Sequence, residues 1–266
     1  MVKEYLLKLG YSNEDIEKIL SSYALKNLKE DTLLIHIKNN YNLLISLGYS
    51  HEDVIKMTKT LPSLYSYSIE NIKQKIEDLV SLGYSHEDVI KMTKSFPSLY
   101  SYSIETINQK IEDLVSLGYK RADVIKMTKS FPSLYGYSIE TINQKIEDLA
   151  SLGYNRADVI KMTKTLPSLY SLSIENIKQK TIFLKEINLD FIVADDTKKL
   201  MQSIDLTYAR YMFLREKGIE ITKDNYKRLF YDAKQFEKQY GIDKSTLLEK
   251  YSYQEYINNK NKISSI

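Results

Sequence analysis

The sequence predicts an all-α repeat protein, and three observations carry that class. First, residues 48–82, GYSHEDVIKMTKTLPSLYSYSIENIKQKIEDLVSL, recur at once as residues 83–117 with 31 of 35 positions identical. The unit recurs again from Gly118 and, more loosely, from Gly153. Second, all four prolines, Pro62, Pro97, Pro132 and Pro167, occupy one repeat position. Third, Gly48, Gly83, Gly118 and Gly153 share another, and the next place in register holds Asn188. A tandem unit of fixed period leaves one apolar face uncovered and stacks on its neighbours to bury it, which is a solenoid. The handedness, right or left, is not readable from the repeat.

Each unit divides into two helices and a tight connector. Ser50 is the expected N-cap of the first helix, with Asp53 completing a capping box. Val54, Ile55, Met57, Thr58 and Leu61 follow at helical spacing. Pro62 ends that helix, because a residue before proline is pushed out of the α region. PSLYSY is too short for another α-helix and predicts a 3₁₀ turn. Ser68 caps the second helix, whose stripe is Ile69, Ile72, Ile76, Leu79 and Val80, while Gln74, Lys75 and Asp78 are expected to face away. Gly83 takes the left-handed position after the helix, and Asn188, which tolerates it best among the other residues, ends a fifth second helix spanning about 174–187.

The flanks read as worn repeats. LGYSNEDIEKIL (Leu9 to Leu20) echoes the unit, but no proline follows it, and Gly10 to Gly48 covers 38 residues. ADDTKKLMQSIDLTYARYMFLREKG closes at Gly218. Two more helices are expected near 223–240, stopped by Gly241, and 244–256, with a frayed tail NNKNKISSI. The expected organisation is one elongated domain, a repeat array over 1–218 and a helical cap over 219–266.

Composition narrows the function classes. Hydrophobic residues make up 43% of the chain, enough for a core. No apolar run approaches the ~20 residues that span a bilayer, so no membrane role is expected. Without cysteine there is no disulfide framework and no thiolate metal site. The N-terminal segment carries Glu4, Glu14, Asp15 and Glu17 and reads as folded protein, not as a transit or signal peptide. The expectation is a cytoplasmic monomer, an organelle staying open if a presequence was removed. Catalysis finds no constellation. The three histidines are His36, His51 and His86. Glu77 and Asp78 are consecutive on a helix and diverge by about 100°, and no glycine-rich phosphate loop is present. No cofactor, no metal and no enzyme are expected.

The pattern formed by Pro62, Leu64, Tyr65, Ser68, Glu70, Leu82 and Gly83, with equivalents over 97–118 and 132–153, resembles the mTERF (mitochondrial transcription termination factor) repeat. The likeness spans roughly Leu9 to Gly218, and YARYMFLREKG is similar to the stretch that closes the array in that family. Tyrosine here replaces leucine after the proline, and successive repeats are far more alike than is usual. The resemblance implies a left-handed superhelix with a positively charged concave groove that binds nucleic acid, typically duplex DNA. It also implies roles in transcription, its termination, or ribosome assembly through RNA. TAL-effector repeats are a rival likeness, but their inter-helix loop is glycine-rich and carries the base-reading residues, whereas the corresponding LPSLYSYS has no Gly-Gly.

Candidate binding residues follow from charge. Lys56 and Lys59, Lys91 and Lys94, Lys126 and Lys129, and Lys161 and Lys164 are spaced by three, so each pair shares a helical face. Stacking aligns them into two rows suited to a phosphate backbone, or into a merely solvated face beside Glu52 and Glu87. The four units carry −1, −2, +1 and +3 in order. The change concentrates where Ser85-His86-Glu87 becomes Lys120-Arg121-Ala122 and then Asn155-Arg156-Ala157. Arg121 and Arg156 are therefore the leading candidates for phosphate or guanine contacts. Arg210, Arg215, Lys227 and Arg228 follow. The chain holds 23 tyrosines; two repeat columns, Tyr65, Tyr100, Tyr135 and Tyr170, and Tyr49, Tyr84, Tyr119 and Tyr154, are expected to pack between repeats with their hydroxyls reaching water at the edge. Tyr67, Tyr102 and Tyr137 are alternative base-stacking positions on a single strand. The partner expected is nucleic acid, duplex DNA before structured RNA; a protein-interaction scaffold is the second reading.

Overall fold

The computed structural model describes residues 1–264, with side chains through Asn261. It divides into two compact units, Met1–Asn143 and Gln144–Ile266. The first contains α1 (Val2–Lys8), α2 (Asn13–Ser21), α3 (Glu30–Ser46), α4 (His51–Thr60), α5 (Ile69–Ser81), α6 (His86–Ser95), α7 (Ile104–Ser116) and α8 (Arg121–Ser130). The division falls inside α9 (Ile139–Ser151). The second contains α10 (Arg156–Thr165), α11 (Ile174–Glu186), α12 (Phe191–Asp195), α13 (Ile204–Glu216), α14 (Ala233–Tyr240), α15 (Lys244–Lys250) and α16 (Tyr253–Ser264). There is no strand among the described residues. A 3₁₀ turn starts at each proline, as Pro62–Ser66, Pro97–Ser101, Pro132–Gly136 and Pro167–Ser171. The all-α class and the helix–3₁₀–helix unit are as the sequence predicts.

Local signals act where expected. The Ser50 hydroxyl accepts from the Asp53 amide at 3.1 Å, and the Asp53 carboxylate accepts from the Ser50 amide at 2.9 Å. The Ser68 hydroxyl caps α5 by accepting from the Asn71 amide. Gly83 has φ of 106° and Asn188 of 56°, the left-handed caps that the punctuation predicts. In the first unit the first helices α2, α4, α6 and α8 stack in sequence, and the second helices α3, α5 and α7 form a parallel row. Val54, Met57, Leu64, Ile72, Ile76 and Leu79 of one repeat are buried between the rows. Each such side chain contributes about 1.5–3 kcal/mol.

Three polar fasteners, each spanning one repeat step, join these layers. The first is a buried hydroxyl chain. Tyr11, Tyr65 and Thr58 are at most 3% exposed. Thr58 donates to the Val54 carbonyl at 2.7 Å. Its oxygen can then only accept from Tyr11, 2.6 Å away. Tyr11 has thereby used its proton, so Tyr65 donates to it across 2.7 Å. The proton order Tyr65→Tyr11→Thr58→Val54 carbonyl is fixed by the helix. It repeats as Tyr100–Tyr49–Thr93–Val89 and as Tyr135–Tyr84–Thr128–Val124. The expectation that these hydroxyls reach water is therefore corrected. Burial raises the Tyr65 and Tyr84 hydroxyls well above the usual phenol range.

The second fastener corrects the placement of Lys75. It does not face away; its ammonium donates to the Tyr102 carbonyl at the end of the next 3₁₀ turn. Lys110 does the same to Tyr137. In the second unit Lys145 reaches Leu172 and Lys180 reaches Leu200, both at 2.6 Å. Asn40 holds the same repeat position and donates to Leu64 and Tyr67 at 2.9 Å. These carbonyls end a turn and have no amide ahead of them, so a neighbouring side chain must supply the donor. The third fastener links the capping-box aspartates to lysines of the following repeat. Lys59–Asp15, Lys94–Asp53 and Lys129–Asp88 lie at 2.8, 2.7 and 2.7 Å.

The C-terminal elements depart from the sequence reading. The helix expected over 223–240 is a 3₁₀ turn, Tyr226–Phe230, followed by α14. Arg210 takes the Leu229 and Tyr231 carbonyls at 3.0 and 2.6 Å, and Asp232 caps α14 through the Gln235 amide. The helix expected over 244–256 breaks between α15 and α16, where Ser252 caps the new helix through the Glu255 amide. The expected frayed tail is helical through Ser264; Ser265 and Ile266 lie outside the described residues. α16 is anchored by Tyr256, which donates to Glu186 at 2.6 Å, and by Lys260 on the same carboxylate.

Thr93→Val should lower stability by about 1–3 kcal/mol, because the buried Tyr49 hydroxyl loses its acceptor. Combined with Tyr49→Phe, the loss should fall short of the sum of the two single losses; strict additivity in denaturant titrations would contradict a coupled chain. The Lys129 ammonium holds the Asp88 carboxyl at about 2, below the ordinary 3.8. A carboxylate depressed by folding stabilises above its unfolded value and loses that contribution as pH falls. Melting temperature should therefore drop from about pH 4 down through pH 2, and Asp88→Asn should flatten that slope. Arg210→Leu should cost on the order of 3 kcal/mol, since two carbonyls lose a charged donor. Faster amide exchange over residues 226–240 would report the same loss locally.

Candidate nucleic-acid interface

The lysine rows form in the first unit, but their two members differ. Stacking of α4, α6 and α8 places Lys56, Lys91 and Lys126 on an exposed face, one per repeat. Lys59, Lys94 and Lys129, one turn on, are held by the preceding capping-box aspartates. These three are fasteners first, which corrects their reading as freely available phosphate contacts. Lys91 also pairs with Glu87 at 2.6 Å, the ordinary i,i+4 arrangement. Lys56 and Lys126 make no ion pair among the described residues.

The variable helix start reaches back to the preceding second helix. Arg121 is paired with Glu112 and donates to Asn108 at 3.1 Å. Its side chain is 44% exposed, so one edge of the guanidinium faces solvent. The equivalent His86 bonds Glu77 at 3.2 Å, and His51 meets the Tyr41 hydroxyl at 2.8 Å. In the second unit Arg156 begins α10 behind an Asn155 cap and is exposed. Lys161 pairs with Asp195 at 3.0 Å, and Lys164 is exposed.

The C-terminal candidates separate clearly. Arg210 is 1% exposed and lies 4.5 Å over the Phe236 ring, bonded to Gln202 and the two carbonyls already named. Burial lowers it to about 10, so it stays charged at neutral pH but cannot meet a phosphate from solvent. Its assignment as a binding residue is corrected to a structural one, a long-reach version of the Lys75 fastener. Arg215 is exposed beside a shallow cleft with Tyr211, Glu186 and Asn188. Lys227 is exposed and Arg228 half-buried, both on the Tyr226–Phe230 turn.

Tyr67, Tyr102 and Tyr137 are half-buried at the ends of their 3₁₀ turns. Tyr102 stacks on Phe96 with centroids 6.2 Å apart, and Tyr137 sits against Phe131 at the same distance. Those ring faces are partly used inside the repeat. Overall charge also differs between the units. The first carries 17 cationic and 18 acidic side chains, the second 21 and 17. No group of three histidine, cysteine, aspartate or glutamate residues able to hold a metal ion occurs among the described residues. Among the described residues no helix is long and apolar enough to cross a membrane.

The geometry is that of a repeat scaffold presenting one lysine per layer and an arginine at selected helix starts. No curated protein matches the chain. The mTERF family model matches residues 1–116 and 106–219. That family consists of non-enzymatic repeat proteins associated with nucleic-acid binding and transcription regulation. With the match covering more than four-fifths of its length and the proline-initiated 3₁₀ unit present in both compact units, the chain belongs to the mTERF family.

Proposed function

We propose that this protein binds nucleic acid through its phosphate backbone, with duplex DNA as the ligand and regulation of transcription or its termination as the role. The observation that carries the reading is the row Lys56, Lys91 and Lys126, one exposed ammonium per stacked first helix. A phosphate backbone is itself a line of charge, and a cation at each repeat step follows it without needing base contacts. Arg121 and Arg156 add a forked donor at two helix starts, where substitution between near-identical repeats concentrates. Carboxylates hold several of the other candidates, so affinity rests on few contacts.

A protein-interaction scaffold is the second reading. One observation favours it: α7 carries the exposed Glu105 and Glu112 and the half-buried Asp113, and its Lys110 is turned onto Tyr137. A stoichiometric protein partner, recovered without nuclease-sensitive material, would support that reading instead.

Anisotropy of a labelled duplex, titrated at several salt concentrations, tests the proposal. Affinity should fall steeply with salt, each neutralised phosphate contributing about −0.9 to the log–log slope. Lys56→Glu combined with Lys126→Glu should weaken binding about tenfold and make that slope shallower by about 2. No binding to duplex at low salt would remove the DNA reading. Tighter binding to structured RNA would move the ligand class.

A further inference from the structure

Within the second unit, three aromatic rings form a row with a lysine at each end. Phe191 on α12 meets Tyr226 edge to face, with centroids 5.3 Å apart and planes at 85°. Tyr226 meets Phe230 at 6.4 Å and 69°. The Lys223 ammonium lies 5.5 Å over the Phe191 ring, and the Lys199 ammonium 5.7 Å over the Phe230 ring. The row is fixed from behind. Tyr226 donates to Asp196 at 3.0 Å. Gln202 and Arg210 both hold the Leu229 carbonyl, tying the Tyr226–Phe230 turn to the Thr197–Met201 turn that carries Lys199.

We infer that Lys199 and Lys223, held on the ends of the Phe191–Tyr226–Phe230 row, form a second phosphate-binding subsite for the nucleic acid; this rests on the reading above. A ring face positions an ammonium without neutralising it, because a quadrupole attracts the cation and leaves its full charge. A carboxylate partner, as on Lys94 or Lys129, removes that charge from an incoming phosphate. Neither Lys199 nor Lys223 makes an ion pair among the described residues. Of the neighbouring acids, Asp195 is already paired with Lys161, and Asp196 accepts the Tyr226 hydroxyl. Glu220 and Asp224 lie close to Lys223 in the chain and make no ion pair among the described residues, against further cations Lys198, Lys227 and Arg228 on the same two turns. The rings themselves are engaged with one another and with the lysines. They act as a rigid mount, so the subsite reads backbone and not base.

The test uses the full chain and a short fluorescein-labelled duplex of random sequence. Lys199→Gln with Lys223→Gln keeps the stems on the rings and removes the charges. It should weaken binding about tenfold and make the salt slope shallower by about 2, with melting temperature little changed. In parallel, acetylation of lysines by a water-soluble ester, read by mass spectrometry, should show Lys199 and Lys223 protected by duplex. If the parent protein binds duplex but the variant keeps its affinity and slope, or protection appears at Lys56 and Lys126 and not at Lys199 and Lys223, the subsite is overturned and the broader reading stands. If the parent protein binds no duplex at low salt, both fall. Displacement of the duplex by polyglutamate at matched charge would point to an acidic protein ligand and would likewise overturn the phosphate assignment.

Discussion

A carbonyl at the end of a 3₁₀ turn cannot find its donor in its own repeat, and much of the structure follows from that. A proline starts four of these turns and removes one amide from each, and the serine cap that follows turns the chain into a new helix. The donor must arrive from the preceding second helix. Asn40, Lys75 and Lys110 supply it in the first unit, and Lys145, Lys180 and Arg210 in the second. The cost of leaving a buried carbonyl bare is what makes each layer require its neighbour. Apolar burial makes stacking favourable, and these directional bonds fix its register. The Tyr–Tyr–Thr chain adds a second directional constraint, because its proton order is set by a helix carbonyl.

The same constraint limits how much positive charge reaches solvent. A repeat protein that fastens its layers with lysines has fewer lysines to offer a ligand. Lys59, Lys94 and Lys129 serve capping-box aspartates, and the Lys75 column serves carbonyls. What is left for a polyanion is Lys56, Lys126, Lys91 beside its Glu87 partner, the solvent edge of Arg121, and in the second unit exposed or ring-mounted cations such as Arg215, Lys227, Lys199 and Lys223. The second unit has the cationic excess, and its ring-mounted lysines are positioned without being neutralised. Function and cohesion thus draw on the same residue types at neighbouring positions. Near-identical sequence in successive repeats is compatible with unequal roles.

Much of the fold could be read in advance because its signals are local. Capping boxes act within three residues, prolines exclude helix at the residue before them, and a left-handed cap needs glycine or asparagine. The C-terminal helices differ from the pattern that local sequence predicts because their breaks depend on distant groups. Nothing within 223–240 announces that Arg210 will claim the carbonyls of Leu229 and Tyr231. The site was less legible than the fold. Spacing identified which lysines share a helix face, but burial decided against Arg210, and ion pairing divided the lysine rows. The Phe191–Tyr226–Phe230 row joins residues as many as 39 positions apart in no recurring pattern, so no periodicity could reveal it.

By itself, the sequence determined the repeat length, the order of helix, turn and helix, the caps, and the apolar stripes that must face inward. These depend on backbone stereochemistry and on side chains a few residues apart, and the same tandem pattern was enough to indicate the family. The tertiary structure alone decided which polar groups meet across a repeat step, which of two adjacent lysines is a fastener and which a surface charge, and which arginine is sealed in the core. Those outcomes turn on distances of about 3 Å between residues dozens of positions apart. At that range burial and pairing set a charge's role more strongly than residue type does.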